Sequence, residues 1–412
     1  MLSDYALSAP AMPAPLQARI HDHTALQIAL VTETYPPEVN GVAHTLQHMV
    51  NGMLARGHQV HLIRPRQGRD DQQRVQAGLT EHLHPGLPIP GYKGLHFGLP
   101  ARSALVESWQ HNPPDIVYIA TEGPLGRSAL NAARQLRIPV ISGFHTNFHG
   151  YSRYYGLGFL EPAIGGILRR FHNRTACTLV PTQALRTELQ ASGFQRCEVL
   201  ARGVDTQLFS PQRRDAGLRH AWGVDEHTLV VMYVGRLAAE KNLSLAVESF
   251  RLLQLKRPEA RFVLVGDGPE LRELKRLHPD FIFCGMRTGE DLARHYASGD
   301  VFLFPSLSET FGNVVLEAMA SGLAIVAFDY AAAHEHLIHG EHALLAPFAD
   351  HGAFIRLAQE LAQSPEYLNR LRLNARELAQ SIDWSTIYNR LEQLFKDHAT
   401  RGRCHATITE NE

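Results

Sequence analysis

The chain has 412 residues, 44% of them hydrophobic, enough to bury a large core and more than an average single domain holds. Its 40 basic and 41 acidic residues leave a formal net charge of −1, which argues against broad electrostatic binding to nucleic acid. No run approaches about 18 uninterrupted apolar residues, so no membrane-spanning helix is expected.

Residues 1–25 are rich in Ala and Pro and lack the basic start and apolar centre of a signal peptide, so they read as a loose tail. Short apolar runs then alternate with helical patterns, the sign of parallel sheets with crossover helices. Predicted strands of the first half are Ile28–Val31, Gln59–Ile63, Asp115–Ile119, Pro139–Ser142 and Thr178–Val180, with helices such as Val42–Ala55 and Leu125–Leu136 between them. The pattern starts again with Leu229–Val234 and continues through Phe262–Val265, Phe281–Cys284, Val301–Phe304 and Ala324–Ala327, with helices Leu243–Leu253 and Leu292–Ala297. The expected fold is therefore α/β, with two doubly wound domains, 26–205 and 206–383, facing across a cleft. A last helix, 384–397, is expected to cross back to the first domain, and 398–412 to form a polar tail. Cys177, Cys197, Cys284 and Cys404 form no C-x-x-C pair and read as free thiols of a reducing compartment.

Chemistry-bearing residues sit at the predicted strand ends. Pro36-Pro37-Glu38-Val39-Asn40-Gly41-Val42 follows the first strand, and Gly41 opens a helix whose N–H groups can face an anion. His145 ends another strand. His149 to Leu160 and the helix after it interleave aromatics with arginines, including Arg153, Arg169 and Arg170, which suits a lipid interface or, more plainly, core packing. The second domain opens with Gly235-Arg236, and Lys241 follows on the same turn. Two such cations can clamp a diphosphate, although an Arg236–Glu240 pair and a solvated lysine would also fit. Gly266 permits a close backbone approach or an ordinary turn.

Ser308 to Glu317 is the most informative segment. Glu309 and Glu317 bracket a Gly312-Asn313 turn that opens the apolar helix beginning Val314-Val315-Leu316. A strand, a polar loop and a helix N-terminus form an anion site, because the first helical N–H groups lack partners. Two carboxylates beside it can hold polyol hydroxyls. A nucleotide-sugar presents that combination of phosphate and hydroxyl pairs.

Taken together, these residues resemble retaining glycosyltransferase family 4, with its two-Rossmann-domain GT-B fold. Glu309 and Glu317 match the family's E-x7-E signature, Gly235-Arg236 with Lys241 its diphosphate clamp, and Asn40-Gly41-Val42 its glycine loop. His145 aligns with the histidine of its His-Thr-Asp, where this chain has Asn147 as the third residue. Thr32 to Val42 and His145-Thr146-Asn147-Phe148 look closest to bacterial mannosyl- and lipid glycosyltransferases, a branch that includes sulfoquinovosyl-diacylglycerol synthases.

The resemblance implies a UDP-hexose or GDP-mannose donor in the second domain. Arg236 and Lys241 would stabilise the departing diphosphate, with Gly235 and Gly266 beside it. Phe311, Gly312 and Asn313 would present backbone N–H groups, with Val314 in the same site. Glu309 would bind sugar hydroxyls, Glu317 the ribose, and His145 and Gly41 would reach across the cleft. The acceptor would be a hydroxyl of a membrane glycolipid or envelope glycan, near Asn40, Asn147, Tyr151, Tyr154 and Tyr155. No cofactor or metal is expected, since no Asp-x-Asp motif is present and fixed cations can take the ion's place. The expected setting is cytoplasmic, with peripheral contact to anionic lipid on the inner membrane.

Competing readings are an NAD-dependent enzyme, disfavoured by the missing dinucleotide fingerprint, a nucleotide-sugar epimerase and a non-catalytic nucleotide-sugar sensor. His334, Glu335, His336, His339 and His342 make the densest histidine cluster, but its spacing is not H-E-x-x-H.

Overall fold

The structure, a computed structural model, describes residues 25–68, 70–88, 96–145 and 161–409. The first half supplies β1 (Gln27–Val31), β2 (Gln59–Pro65), β3 (Val75–Gln76), β4 (Leu79–His84), β5 (Gly86–Pro88), β6 (His96–Gly98), β7 (Ile116–Ile119), β8 (Val140–Gly143), β9 (Cys177–Val180) and β10 (Cys197–Val199). Strands β5 and β6 form a separate hairpin sheet. The others build one eight-stranded sheet in the order β10-β9-β8-β7-β1-β2-β4-β3, parallel except for the β3–β4 pair.

The second half supplies β11 (Val230–Val234), β12 (Arg261–Val265), β13 (Ile282–Gly285), β14 (Val301–Phe304), β15 (Ala324–Phe328) and β16 (Leu344–Ala346). They form a six-stranded parallel sheet in the order β13-β12-β11-β14-β15-β16. Strand β11 reads Val-Val-Met-Tyr-Val and every residue is buried. Helices cover both faces of such a sheet, so its central strands carry no polar alternation.

The register of these parallel pairs aligns the carboxyl ends of all neighbouring strands. In each sheet one strand has later strands on both sides: β1 lies between β2 and β7, and β11 between β12 and β14. Loops leaving those neighbours part to opposite faces and open a crevice, the place where such folds bind ligands.

Two chain crossings join the domains and run side by side. Val204 N donates to Ile382 O at 3.0 Å, and Val204 bridges Asp383 in parallel. The helix Trp384–Thr409 then packs on the first domain, where Leu391, Leu394, Phe395 and Ala399 share a core with Leu30, Met49 and Tyr118. This helix corrects the expected tail at 398–412: it continues to Thr409, because nothing between His398 and Thr409 is a proline that would stop it. Strand β4 and the helix Pro365–Ser381 were not predicted either. The former carries Glu81 and His82 in a strand, and its Glu81 is buried against Arg64 at 3.0 Å.

Trp384 anchors the second crossing. It is buried, stacks on His48 with ring centroids 4.6 Å apart and 2° between planes, and stacks on Tyr388 as well. Trp384→Ala is expected to cost about 3–5 kcal/mol of stability, as for other large-to-small core changes. Urea denaturation followed by far-UV circular dichroism would measure it.

Candidate active site

Strands β11 and β14 are neighbours, so the loops that follow them, around Gly235 to Asn242 and Pro305 to Gly312, emerge together. Lys241 Nζ lies 2.5 Å from Glu309 Oε1 and 3.4 Å from Ser308 O. The same carboxylate oxygen accepts from Ser306 Oγ at 2.7 Å, and Tyr330 OH donates to Glu309 O at 2.8 Å. Arg236 Nη1 is 3.4 Å from Glu240 Oε1, and Glu240 is buried. Both expected clamp cations are therefore charge-paired in this structure. The Arg236–Glu240 pair is the plainer alternative from the sequence, whereas Lys241 has a site carboxylate rather than bulk solvent.

Gly266 has a packing use. At φ +141°, a Cβ there would lie 1.9 Å from Gly235 O, so the glycine lets the loop after β12 stack on the loop after β11. Gly235 N donates to Val265 O at 3.0 Å, and Leu237 N to Asp267 O at 2.9 Å, which locks the two loops together. Gly266 thus supports the clamp loop from behind.

The helix Asn313–Ala320 starts from Gly312, whose φ of 93° turns the chain sharply off the loop. Its first N–H groups, those of Asn313 and Val314, have no intrahelical acceptor. Phe311 is buried, with its ring in a T-shaped contact with His336. Glu317 accepts from Tyr296 OH at 3.0 Å. Burial pushes its carboxyl up to about 7 against the lowering effect of that hydroxyl.

The first domain meets this loop directly. Asn313 Nδ2 donates to Gly41 O and to Thr45 Oγ1, each at 3.3 Å, so the first residues of two helices from different domains touch. Asn40 Oδ1 caps the Gly41–Ala55 helix through Val42 N and Ala43 N, and its Nδ2 donates to Thr34 Oγ1. His145 follows β8 (Val140–Gly143). It is buried, with Nε2 2.6 Å from Tyr118 OH and Nδ1 3.2 Å from Arg202 Nη2. Arginine only donates, so Nδ1 accepts and the ring is neutral. Burial first, then the charge of Arg202, holds its pKa well below the ordinary histidine value. Both ring nitrogens are thereby engaged within the protein. Asn147, Arg153, Tyr151, Tyr154 and Tyr155 lie outside the described residues.

The histidine cluster is dispersed. His334 pairs with Asp329 at 2.8 Å, while His339 and His342 accept from backbone N–H groups. Among the described residues no group of His, Cys, Asp and Glu is arranged to hold a metal.

Family models match both halves of the chain: Glycosyltransferase Family 4 over residues 39–208 and Glycosyl transferases group 1 over 228–364. A GDP-mannose-dependent alpha-mannosyltransferase of Mycobacterium tuberculosis is 32% identical over 92% of this chain and 98% of its own length. The chain belongs to glycosyltransferase family 4. Sulfoquinovosyl transferase SQD2 of Arabidopsis thaliana is also 32% identical, over 73% of this chain and 59% of that protein. Sucrose-phosphate synthase from Thermosynechococcus elongatus shares the fold with a TM-score of 0.74 at 20% identity, covering 90% of this chain and 98% of that one.

The chain is thus a GT-B hexosyltransferase, and nothing among these relatives supports an epimerase or a non-catalytic sensor. No described helix is long and apolar enough to cross a membrane. Sequence reading missed Arg202, Thr45, Ser306, Tyr296 and Tyr330. Arg202, Thr45, Tyr296 and Tyr330 contact the site across long sequence separations, whereas Ser306 reaches Glu309 from three residues away; Arg202 left a local signal, a cation beside Gly203 after a strand.

Glu317 keeps its proton to about pH 7 when folded and releases it near 4.5 when unfolded. Between those values the folded state binds more protons, so this group makes stability fall as pH rises. Glu317→Gln is expected to remove that slope. The variant's Tm relative to wild type should rise between pH 5 and pH 8, as measured by calorimetry.

Proposed function

We propose that the chain transfers mannose from GDP-mannose, with retention, to a hydroxyl of a glycolipid. The observation that carries this reading is the junction of Lys241 and Glu309 beside the Asn313 helix N-terminus, opposite the Gly41 helix N-terminus. The phosphates would lie between those helix ends, where the Asn313 and Val314 N–H groups and the dipoles of both helices favour negative charge. Sugar hydroxyls would take Glu309, freeing Lys241 for the diphosphate. Arg236 would bind the other phosphate as a planar fork. Glu317 and Tyr296 would meet the ribose hydroxyls.

In the transfer, the bond from the sugar's anomeric carbon to the phosphate oxygen breaks, and the bond to the acceptor oxygen forms on the same face. The acceptor's proton passes to a phosphate oxygen of the leaving group. Charge grows on the diphosphate, so fixed cations aimed there lower the barrier. Lys241, Arg236 and the helix ends supply that stabilisation without a divalent ion. The guanine donor and mannose are favoured over a UDP-hexose because the mycobacterial relative that this chain spans almost entirely is named GDP-mannose-dependent. A glycolipid acceptor is supported by relatives such as the alpha-monoglucosyldiacylglycerol synthase of Acholeplasma laidlawii.

The helix Glu161–His172 gives part of the expected lipid-facing surface. Leu168 and Phe171 are core residues, and Arg169 donates to Ser192 O at 3.0 Å, so the plainer packing reading holds for them. Ile167 and Arg170 are exposed. Peripheral binding to anionic lipid would use this face. The variant Arg170→Glu is expected to weaken binding to vesicles containing phosphatidylglycerol in a sedimentation assay while keeping its Tm.

A thermal-shift and turnover panel of GDP-mannose, UDP-glucose, UDP-galactose and UDP-glucuronate, with chelator present, tests the donor. GDP-mannose at 100 times its Kd should stabilise the fold by about 2.7 kcal/mol. Lys241→Ala and Glu309→Ala should both lose that shift. Stabilisation by a UDP-hexose instead would change the donor, and no response to any donor would overturn the reading.

A further inference from the structure

Three arginines are buried among the described residues: Arg64, Arg202 and Arg219. Two of them are matched by carboxylates. Arg64 holds Asp71 at 2.6 Å and Glu81 at 3.0 Å, and Arg219 holds Asp300 at 3.4 Å. Arg202, only 5% exposed, forms no ion pair with a described residue. Its partners are neutral: Thr45 Oγ1 at 3.1 Å, Asn313 Oδ1 at 3.4 Å and His145 Nδ1 at 3.2 Å. Its guanidinium also lies 5.4 Å from the centre of the Phe311 ring.

A buried cation without a counter-charge is costly. Burial accordingly pulls the Arg202 pKa down to about 10, partly offset by Tyr118 and Glu309. Glu309 cannot supply the missing charge in full, because Lys241 already holds it at 2.5 Å. The position makes the imbalance meaningful. Arg202 bonds both to Thr45, one turn into the Gly41–Ala55 helix, and to Asn313, the first residue of the opposing helix. Two positive helix ends and one uncompensated guanidinium therefore converge where the domains meet.

We infer that Arg202 is a third cation for the donor's diphosphate, reaching the phosphates from the hinge side opposite Arg236 and Lys241. This rests on the nucleoside-diphosphate-sugar reading above. The charge is held in reserve: neutral acceptors orient the fork, and the diphosphate provides the negative partner. The neighbouring His145 is the device that keeps it free, since a neutral imidazole accepting from Nη2 positions the guanidinium without neutralising it.

The test is calorimetric titration of the full chain with GDP, UDP, guanosine and uridine, for wild type, Arg202→Met, Arg202→Gln and Arg202→Lys. Loss of one charge-assisted contact to phosphate should weaken the bound diphosphate roughly tenfold or more in the Met and Gln variants. Lysine should recover most of that affinity, and the weaker binding of the matching nucleoside should not change. Tm without nucleotide should stay level or rise in the Met or Gln variant, because a buried charge is removed. Unchanged diphosphate affinity in either neutral variant would overturn the inference, as would an equal loss for the nucleoside or no rescue by lysine. If wild type itself binds neither diphosphate, the donor reading fails rather than this residue's role. The glutamine change keeps the test open should the methionine variant not fold.

Discussion

Two helix N-termini held head to head across the cleft are the constraint on which the rest of the structure depends. Asn313 begins one helix and Gly41 the other, and the Asn313 amide spans the gap to Gly41 O and Thr45 Oγ1. Like ends of two helix dipoles repel, so this approach requires a fold that imposes it, and it suits the anion proposed to lie there. The fold imposes it through topology. Each sheet aims its strand ends at the other, and the paired crossings at Val204 and Asp383 hold the two sheets in that relation. The Trp384–His48 stack then ties the second crossing to the same helix that carries Gly41.

The cations of the site are held in ion pairs that the proposed donor would exchange. Lys241 is satisfied by Glu309 and Arg236 by Glu240, which keeps two cations from standing unpaired near two helix ends. A nucleotide-sugar can take both halves of the Lys241–Glu309 pair at once, hydroxyls to the carboxylate and phosphate to the ammonium. Such an exchange conserves the number of polar contacts while concentrating positive charge on the leaving group. The loops that do this are stiffened from behind by Gly266 and by the backbone bonds between residues 235–237 and 265–267.

Much of the fold was legible because parallel strands buried on both faces announce themselves as apolar runs. Strands β1, β11 and β14 were all found within a residue or so of their ends. Strand β4 was missed because polar Thr80, Glu81 and His82 hide the run, and the burial of Glu81 depends on Arg64 from a distant segment. In the site, residue types that act through backbone or spacing were readable: Gly312 and Asn313 at a helix start, and Glu309 and Glu317 on either side. What was not readable was who holds whom. Asn40 turned out to cap its helix, and His145 to spend both nitrogens on Tyr118 and Arg202. The His145 bonds join residues 27 and 57 positions apart, beyond the reach of any local pattern.

The most direct measurement is a crystal structure of the full chain with its nucleoside diphosphate bound. Both phosphates are expected between the Gly41 and Asn313 helix N-termini, with Lys241 moved from Glu309 onto a phosphate oxygen. A diphosphate bound away from that junction, or one that leaves the Lys241–Glu309 pair untouched, would contradict the proposed site.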